Sequence, residues 1–441
     1  MKIAIRLLVV TIIVCAGSMV STLHAQTLNG RFVTSAYGWE RQMHNGESTS
    51  HLRAYENVQL NFGTEDISFH TYLQGYTDLG DGIDGDPGLR VFNAYLRLKN
   101  LFDVLDVKLG RQAIFAGVSY GTIEGAQVKA RVTDGVEVMA YGGGLTPPGQ
   151  TLEYQYLGNL EDNWQVGGQV LLYLIENTKI GLSYMNRHRE TSAFYAWRPD
   201  AQMDLQETLI DYGSRANQYA SVNVAHSSGH LWLYGRADYD FNFERASRAE
   251  VAASYRVIPK LELSLNLAHR EPVIAWNSYF ALLEASAHQE AVLGATYDIH
   301  PRVSLLGRVS TVMYEDDNAL RVSLGAMNKY ASIMYTKDVS YDGDLDGFNL
   351  HFTYPLMDGK LVPHLGAVYS TYALAENLTD ATNWNERAST WVGVVGATVR
   401  PIPAVSFDVQ GQYMTNRIYA SDMRAFARVN YWFSNPFGFG K

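Results

Sequence analysis

The chain has 441 residues, of which 47% are hydrophobic and only 18% are charged, and its formal net charge is -10. Such an acidic balance argues against a nucleic-acid partner, whose phosphates require a basic face. The single cysteine, Cys15, lies near the start of the chain, which leaves no thiol further on for a disulfide framework, a metal site or a nucleophile.

Residues 1–25 have the layout of a secretory signal. Lys2 and Arg6 precede an apolar run, and small residues follow up to Ala25. The alternative is a membrane anchor, but the run is shorter than the roughly 20 residues that cross a bilayer as a helix. We therefore predict cleavage before Gln26. Removing two of the 35 basic residues leaves 33 against 45 acidic ones, a formal charge of -12.

The rest of the chain alternates between apolar and polar residues. In 260–271, leucines occupy every second position and polar residues fill the gaps, as in Leu263, Ser264, Leu265 and Asn266. A period of two is typical of β-strands. The same alternation recurs, in chain order, at 66–76, 230–243, 246–257, 301–314, 347–355, 404–414 and 424–433.

The lengths of these segments and of their connections indicate a membrane barrel. Soluble strands usually have about 5 to 6 residues, whereas about 9 to 11 tilted residues cross an outer membrane. Bacterial barrels also alternate short turns with long loops. Short connections are predicted near 63–65, 133–135, 176–178, 258–260, 299–301, 357–360 and 400–403, and long ones near 42–50, 78–88, 144–163, 189–215, 271–286, 339–346 and 374–388.

The predicted fold is all-β: a transmembrane antiparallel up-and-down β-barrel of about 22 strands, with 18 to 22 considered. It occupies 26–433, followed by a C-terminal tail at 434–441. The leucines would face lipid and the polar residues an aqueous lumen. The alternative is a secreted β-sandwich or β-helix, in which the leucines would face a protein core. Since the first strand directly follows the signal, we expect no plug domain; an inward-folded loop, such as 189–215, or lining side chains would narrow the lumen.

Strand parity predicts which charged residues line the lumen. The basic ones are Arg97, Lys99, Lys108, Lys129, Arg131, Arg236, Arg256, Arg308, Arg321, Arg424 and Arg428, and the acidic ones are Asp106, Glu137, Asp238, Asp240, Glu250, Glu262 and Asp408. If the basic groups cluster at a constriction, anionic solutes are favoured. If the charges instead pair across strands, the lumen is a general diffusion pore. Both interpretations remain open at this point.

The stretch 101–144 contains a strand ending in "KLGRQ", a short loop, a returning strand and then "DGVEVMAYGG". It resembles the strand pairs of the alginate-export-like family of outer-membrane porins, which share Gly-Arg-Gln after an alternating strand. The resemblance covers roughly a tenth of the chain. It implies a single-chain channel of about 18 strands for an anionic polysaccharide, with Arg111 in a basic lining. The chain departs from this pattern in its higher strand count and in its parity, because Arg111 shares the outward face of Leu109 unless a bulge intervenes.

Two motifs raise the alternative of a barrel-embedded hydrolase. "GVSYG" at 117–121 matches Gly-x-Ser-x-Gly around Ser119, but a strand rather than a helix is predicted to follow, so the motif lacks its structural context. His226 and His230 flank Ser227 in a predicted turn without an acidic partner. We therefore expect no enzyme.

Two acidic loops raise the question of calcium. Asp342, Asp344 and Asp346 have the spacing of the first half of a calcium loop, but Thr353 stands where the bidentate carboxylate would be needed. Asp78, Asp81, Asp84 and Asp86 form a second acidic loop. A solvated acidic rim is the alternative, and no other cofactor is expected.

These observations predict a bacterial outer-membrane channel for passive diffusion of small hydrophilic solutes, with anionic solutes or polysaccharide as finer candidates. Its partners would be outer-membrane lipid and the barrel-assembly machinery, because the last strand, "AFARVNYWF", has the alternating, aromatic-ended form of an assembly signal. A surface-binding or adhesive barrel is the remaining alternative.

Overall fold

The structure is a computed structural model, and it describes residues 26–80, 87–152, 159–199, 203–282, 286–315, 317–340, 343–374 and 387–437. The predicted signal at 1–25 lies outside these ranges, as do Asp81, Asp84, Asp86 and Asp342. Within them, no helix is both long and apolar enough to cross a membrane.

The described residues form 24 strands, separated at two places by short 3-10 turns, Tyr279–Leu282 and Met357–Gly359. The strands are β1 (Gln26–Met43), β2 (Ser48–Gly63), β3 (Ile67–Asp78), β4 (Gly88–Leu101), β5 (Leu105–Ala116), β6 (Ser119–Thr133), β7 (Val136–Leu145), β8 (Trp164–Ile175), β9 (Thr178–His188), β10 (Phe194–Pro199), β11 (Leu205–Ile210), β12 (Arg215–Ser228), β13 (Leu231–Asp240), β14 (Arg245–Ile258), β15 (Leu261–Arg270), β16 (His288–His300), β17 (Val303–Met313), β18 (Asn318–Met327), β19 (Ala331–Ser340), β20 (Gly343–Thr353), β21 (Leu361–Leu374), β22 (Ala388–Ile402), β23 (Val405–Thr415) and β24 (Tyr419–Phe437).

Twenty-two of these strands join in one closed antiparallel sheet. Each strand pairs with the next, β9 pairs with β12, and β1 closes the sheet on β24 from Gln26 opposite Phe437 to Met43 opposite Tyr419. Closure leaves no unpaired edge, which a bilayer would not tolerate. With strands about 4.8 Å apart and tilted by about 40°, the barrel is roughly 40 Å wide between backbones. The predicted fold class and strand number are confirmed, whereas the 18 strands implied by the family resemblance are too few.

Turns and loops separate to opposite ends of the barrel. The predicted short connections, such as that between Thr133 and Val136, lie at one end, which we call the short-turn end, together with Gln26 and Phe437. The predicted long connections lie at the other, the long-loop end, but the one predicted at 339–346 is wrong in extent, because β19 runs to Ser340 and β20 begins at Gly343. The final strand runs to Phe437, four residues beyond the predicted end of the barrel, so the tail predicted at 434–441 begins as strand.

The outer face of the wall is apolar. In β15, Leu263 and Leu267 are each 44% exposed, and Leu265 lies opposite Leu293, which is 61% exposed. These leucines therefore cover the outside of a closed wall and do not fill a protein core, which excludes the sandwich and the β-helix. The intervening residues, including Asn266, face the interior, because successive side chains of a strand point to opposite faces.

Leu265→Arg is expected to destabilise the barrel, whereas Asn266→Arg is expected to leave its stability nearly unchanged. The first substitution places a charge against acyl chains near the middle of β15, at a cost of about 2–4 kcal/mol, and the second places the same charge in the polar interior. Urea titration of the two variants refolded in phospholipid vesicles measures the difference. Equal losses of stability would contradict the assignment of the two faces.

Candidate functional site

The inward face can be followed around the wall, because directly paired residues of adjacent strands share a face. Lys108, for example, pairs with Arg97 on one side and with Gln127 on the other, and Arg428 pairs with Asp408. Followed in this way, the register places on the inward face Arg97, Lys99, Lys108, Lys129, Arg131, Arg236, Arg256, Arg308, Arg321, Arg424 and Arg428, with Asp106, Glu137, Asp238, Asp240, Glu250, Glu262 and Asp408.

Most of these cations are ion-paired with the acids beside them. The pairs are Arg97–Asp106 at 3.0 Å, Lys129–Glu137 at 2.8 Å, Arg236–Asp238 at 2.8 Å, Arg256–Glu262 at 3.5 Å and Arg428–Asp408 at 3.0 Å, with Lys99–Glu65, Arg321–Asp338 and Arg424–Asp422 in addition. This pattern corresponds to the second of the two interpretations left open by the sequence, in which the lining charges pair along the wall.

Three cations of the predicted set have no carboxylate within ion-pairing distance in the described ranges: Lys108, Arg131 and Arg308. Lys108 Nζ lies instead 5.4 Å from the centre of the Tyr95 ring. Within the predicted set, the positive charge that no ion pair neutralises is therefore confined to these three positions, and whether it directs solutes stays a prediction.

Part of the wall turns inward at the ends of β5 and β6. Gly110 and Gly121 have φ angles of +123° and +119°, which side chains with a Cβ rarely adopt. The pairing of β5 with β4 stops at Arg111, opposite Ala94, while β5 and β6 stay paired with each other up to Ala116 and Ser119. We call the segment from Arg111 to Ile123 the infolded hairpin.

One face of the infolded hairpin packs on the inner surface of the neighbouring wall. Val118 is buried against Met185 and Tyr219, which lie on the inward faces of β9 and β12. Its backbone N–H donates to Ser183 Oγ at 2.9 Å. Nearer the bends, Ile114, Ala116 and Ile123 cluster with the inward Tyr141. These contacts hold the hairpin inside the lumen, so it narrows the pathway.

The first part of the β7–β8 loop, at Gln150 and Thr151, occupies the gap that β5 leaves in the wall. The backbone N–H of Val91, in β4, donates to the carbonyl of Gln150 at 2.8 Å. In a regular sheet this N–H would pair with β5, but the pairing of β4 with β5 does not reach Val91. A buried unpaired N–H would be costly, so this loop is part of the wall.

Arg111 joins β4, the β7–β8 loop and the infolded hairpin. Its Nη1 donates to the carbonyls of Val91 at 3.1 Å, Gln150 at 3.2 Å and Thr151 at 2.9 Å. Its Nε and Nη2 donate to the Glu124 carboxylate. Because its side chain is only 6% exposed, the lining role implied by the family resemblance is wrong: Arg111 is a buried clamp.

The serines considered for hydrolysis are not arranged for it. Ser119 is buried at the tip of the infolded hairpin, where its Oγ donates to the carbonyl of Tyr184 at 3.4 Å. His226 hydrogen-bonds Thr178 Oγ1 at 2.8 Å, and in the described ranges no histidine hydrogen-bonds Ser119 or Ser227.

A different serine and histidine do meet on the inner wall. Ser68 Oγ lies 2.8 Å from His70 Nε2, and His70 Nδ1 lies 2.6 Å from Asn61 Oδ1. No sequence motif marks these residues. The surrounding backbone N–H groups pair in the β2–β3–β4 ladders, so none is free to stabilise an oxyanion.

The two described members of the candidate calcium loop lie in a strand. Asp344 and Asp346 share one face of β20, and the Asp346 carboxylate accepts hydrogen bonds from Tyr335 Oη at 2.8 Å and Lys337 Nζ at 3.0 Å, as well as from Arg387. A calcium ion there would have to displace these cations. The calcium site stays a prediction.

The longest loop, at 189–215, forms a separate hairpin. Among the described residues, its strands β10 and β11 pair with each other and with no other strand, and Tyr195 and Trp197 are exposed. The sequence left open whether this loop folds inward. Within the described ranges, the segment seen to fold inward is the infolded hairpin, which has one of the shortest connections at the long-loop end.

The closed sheet, its apolar outer face and its charged inner face define a membrane-spanning β-barrel with a polar lumen. No protein-family model and no curated protein sequence matches the chain.

Several solved structures resemble this barrel. OpdQ of Pseudomonas aeruginosa is 10% identical, with a TM-score of 0.42 over 93% of this chain and 98% of that one. The P pilus usher (PapC) translocation pore is 8% identical, with a TM-score of 0.47 over 91% and 99%. OccAB4 of Acinetobacter baumannii is 10% identical, with a TM-score of 0.42 over 92% and 98%. Because every TM-score is below 0.5, no property of those proteins is transferred to this chain.

Proposed function

We propose that the protein is an outer-membrane channel through which small hydrophilic solutes diffuse passively. The observation that carries this proposal is a closed wall of 22 strands that is apolar outside and charged inside. Barrels of 16 or more strands leave an aqueous channel, unlike barrels of about 8 strands, which side chains fill. Export through the predicted signal at 1–25 and insertion by the barrel-assembly machinery belong to the same proposal.

The selectivity that fits the lining is a weak preference for anions. In the described ranges, Lys108, Arg131 and Arg308 supply positive charge without a carboxylate within ion-pairing distance, while most other inward cations are neutralised by ion pairs. A polyanionic polysaccharide needs a continuous series of free cations. Small solutes are therefore the better candidates, and no covalent chemistry is part of the proposal.

Planar-bilayer recordings across a potassium chloride gradient test both points. We expect a stable open current and a reversal potential with a small bias toward chloride. The variant with Arg131→Gln and Arg308→Gln should shift that potential toward cation preference, because it removes two uncompensated charges. The matched variant with Arg256→Gln and Glu262→Gln removes a neutral pair and should leave the potential unchanged.

Two results would count against the proposal in different ways. Absence of current from correctly folded protein would favour an adhesive barrel over a channel. A clear cation preference of the unmodified protein would overturn the assignment of selectivity while leaving the channel itself intact.

A further inference from the structure

A pocket of about 350 Å3 lies in the inner wall beside the infolded hairpin. Strands β4 to β8 supply a polar side through residues such as Lys108 and Gln169, and a more apolar side through Met139 and Leu171. Phe115, from the infolded hairpin, completes the lining. The volume lies in the range of small-molecule sites in proteins, about 300–1,000 Å3.

The charged groups of the pocket leave one positive charge uncompensated. Arg97 is paired with Asp106 at 3.0 Å, and Lys129 with Glu137 at 2.8 Å. Lys108, the third cation, is in neither pair. Its ammonium group lies over the Tyr95 ring, which leaves its hydrogen atoms available to an acceptor in the pocket. A single negative charge therefore complements this site.

Phe115 gives the pocket an apolar surface that the packing of the hairpin does not require. Its side chain is 84% exposed, while its neighbours Ile114 and Ala116 form the buried face of the same strand. The Arg111 clamp, four residues before it, holds this strand in the lumen. An exposed aromatic ring at a fixed position beside a cation can contact the apolar body of a solute while the cation binds its charged group.

We propose that this pocket binds small organic monoanions that carry a ring or another compact apolar body. The carboxylate accepts hydrogen bonds from Lys108 Nζ, and the body lies against Phe115 and Met139. The proposal deepens the proposed function, on which it rests for the route by which solutes reach the pocket. It makes the channel discriminate among anions by their apolar part as well as by charge.

Titration calorimetry of the folded protein in detergent tests this binding directly. The probes are benzoate, its uncharged counterpart benzamide, and acetate, which has the charge without the ring. We expect benzoate to bind more tightly than either of the others. Lys108→Met should weaken benzoate binding by about tenfold, the usual effect of losing one charge-assisted hydrogen bond. Phe115→Ala should also weaken benzoate binding and should leave acetate binding unchanged.

Lys179→Met is the matched control. Lys179 also lies over a tyrosine ring, with its Nζ 5.9 Å from the centre of Tyr173, but it does not line the pocket. Its loss changes the net charge by the same amount, so benzoate binding should stay as in the unmodified protein. Equal weakening by Lys108→Met and Lys179→Met would overturn the proposal, because it would indicate a general field effect.

Calorimetry tests the pocket and the bilayer recordings test the channel, so either claim can be refuted while the other stands. Benzoate binding that depends on Lys108 and Phe115, in a protein without conductance, would support the pocket and refute the channel. Conductance without any preference of the protein for benzoate over benzamide and acetate would refute the pocket and leave the channel standing.

Discussion

Arg111→Met is expected to raise the single-channel conductance, because it frees the infolded hairpin from the fixed position in which the hairpin narrows the lumen. Arg111 makes the hydrogen bonds that join β4, the β7–β8 loop and the hairpin. The substitution also leaves the Glu124 carboxylate, whose side chain is mostly buried, without its cation. Loss of one partner of a buried ion pair costs about 3–5 kcal/mol. That energy acts on one hairpin, so local release is expected while the rest of the barrel stays folded.

Planar-bilayer recordings measure the effect, and limited proteolysis locates it. We expect a larger and noisier current and new cleavage between residues 111 and 123. The double variant that also carries Glu124→Gln should recover part of the stability that the hairpin loses, because no unpaired charge remains. Arg256→Met removes an arginine from a more exposed pair, Arg256–Glu262, and should change neither readout. An Arg111→Met protein with normal current and normal resistance to protease would show that Arg111 does not hold the hairpin.

Gly110→Ala is expected to lower the yield of folded barrel sharply, whereas Gly393→Ala is not. A Cβ at position 110 would lie 2.4 Å from the carbonyl oxygen of Ala94 and 3.0 Å from the Cα of Tyr95, and the φ of +123° would be strained as well. Strained backbone conformations alone cost about 1–3 kcal/mol each. At Gly393, a Cβ would meet no atom within 4 Å.

Refolding of the two variants in detergent, followed by electrophoresis without heating, separates folded from unfolded protein. We expect the Gly393→Ala variant to match the unmodified protein and the Gly110→Ala variant to remain largely unfolded, or to fold with β5 out of register with β4. Equal folded yields would indicate that the bend at Gly110 can be made by an ordinary residue.

The parity of the sequence predicted the wall well and the infolded hairpin poorly. In β15, alternation alone assigned Leu265 outward and Asn266 inward, and the closed sheet has them so. In β5, the alternation beyond Leu109 assigns Arg111 to the outer face. A charged side chain conflicts with the apolar surface that the outer face requires. That conflict, beside the glycine at 110, was the available signal for a bend. It did not reveal the direction of the bend or the partners of Arg111.

The sequence by itself determined the alternating faces, the number of strands and the separation of turns from loops, because these depend on residues close together in the chain. Only the tertiary structure decided which charges pair, which hairpin enters the lumen and that Arg111 is buried. Those outcomes depend on contacts between distant residues, such as Arg111 with Gln150 or Val118 with Tyr219, and on a bend that inverts the local alternation. The periodicity of the sequence contains no information about the contacts between distant residues or about the bend.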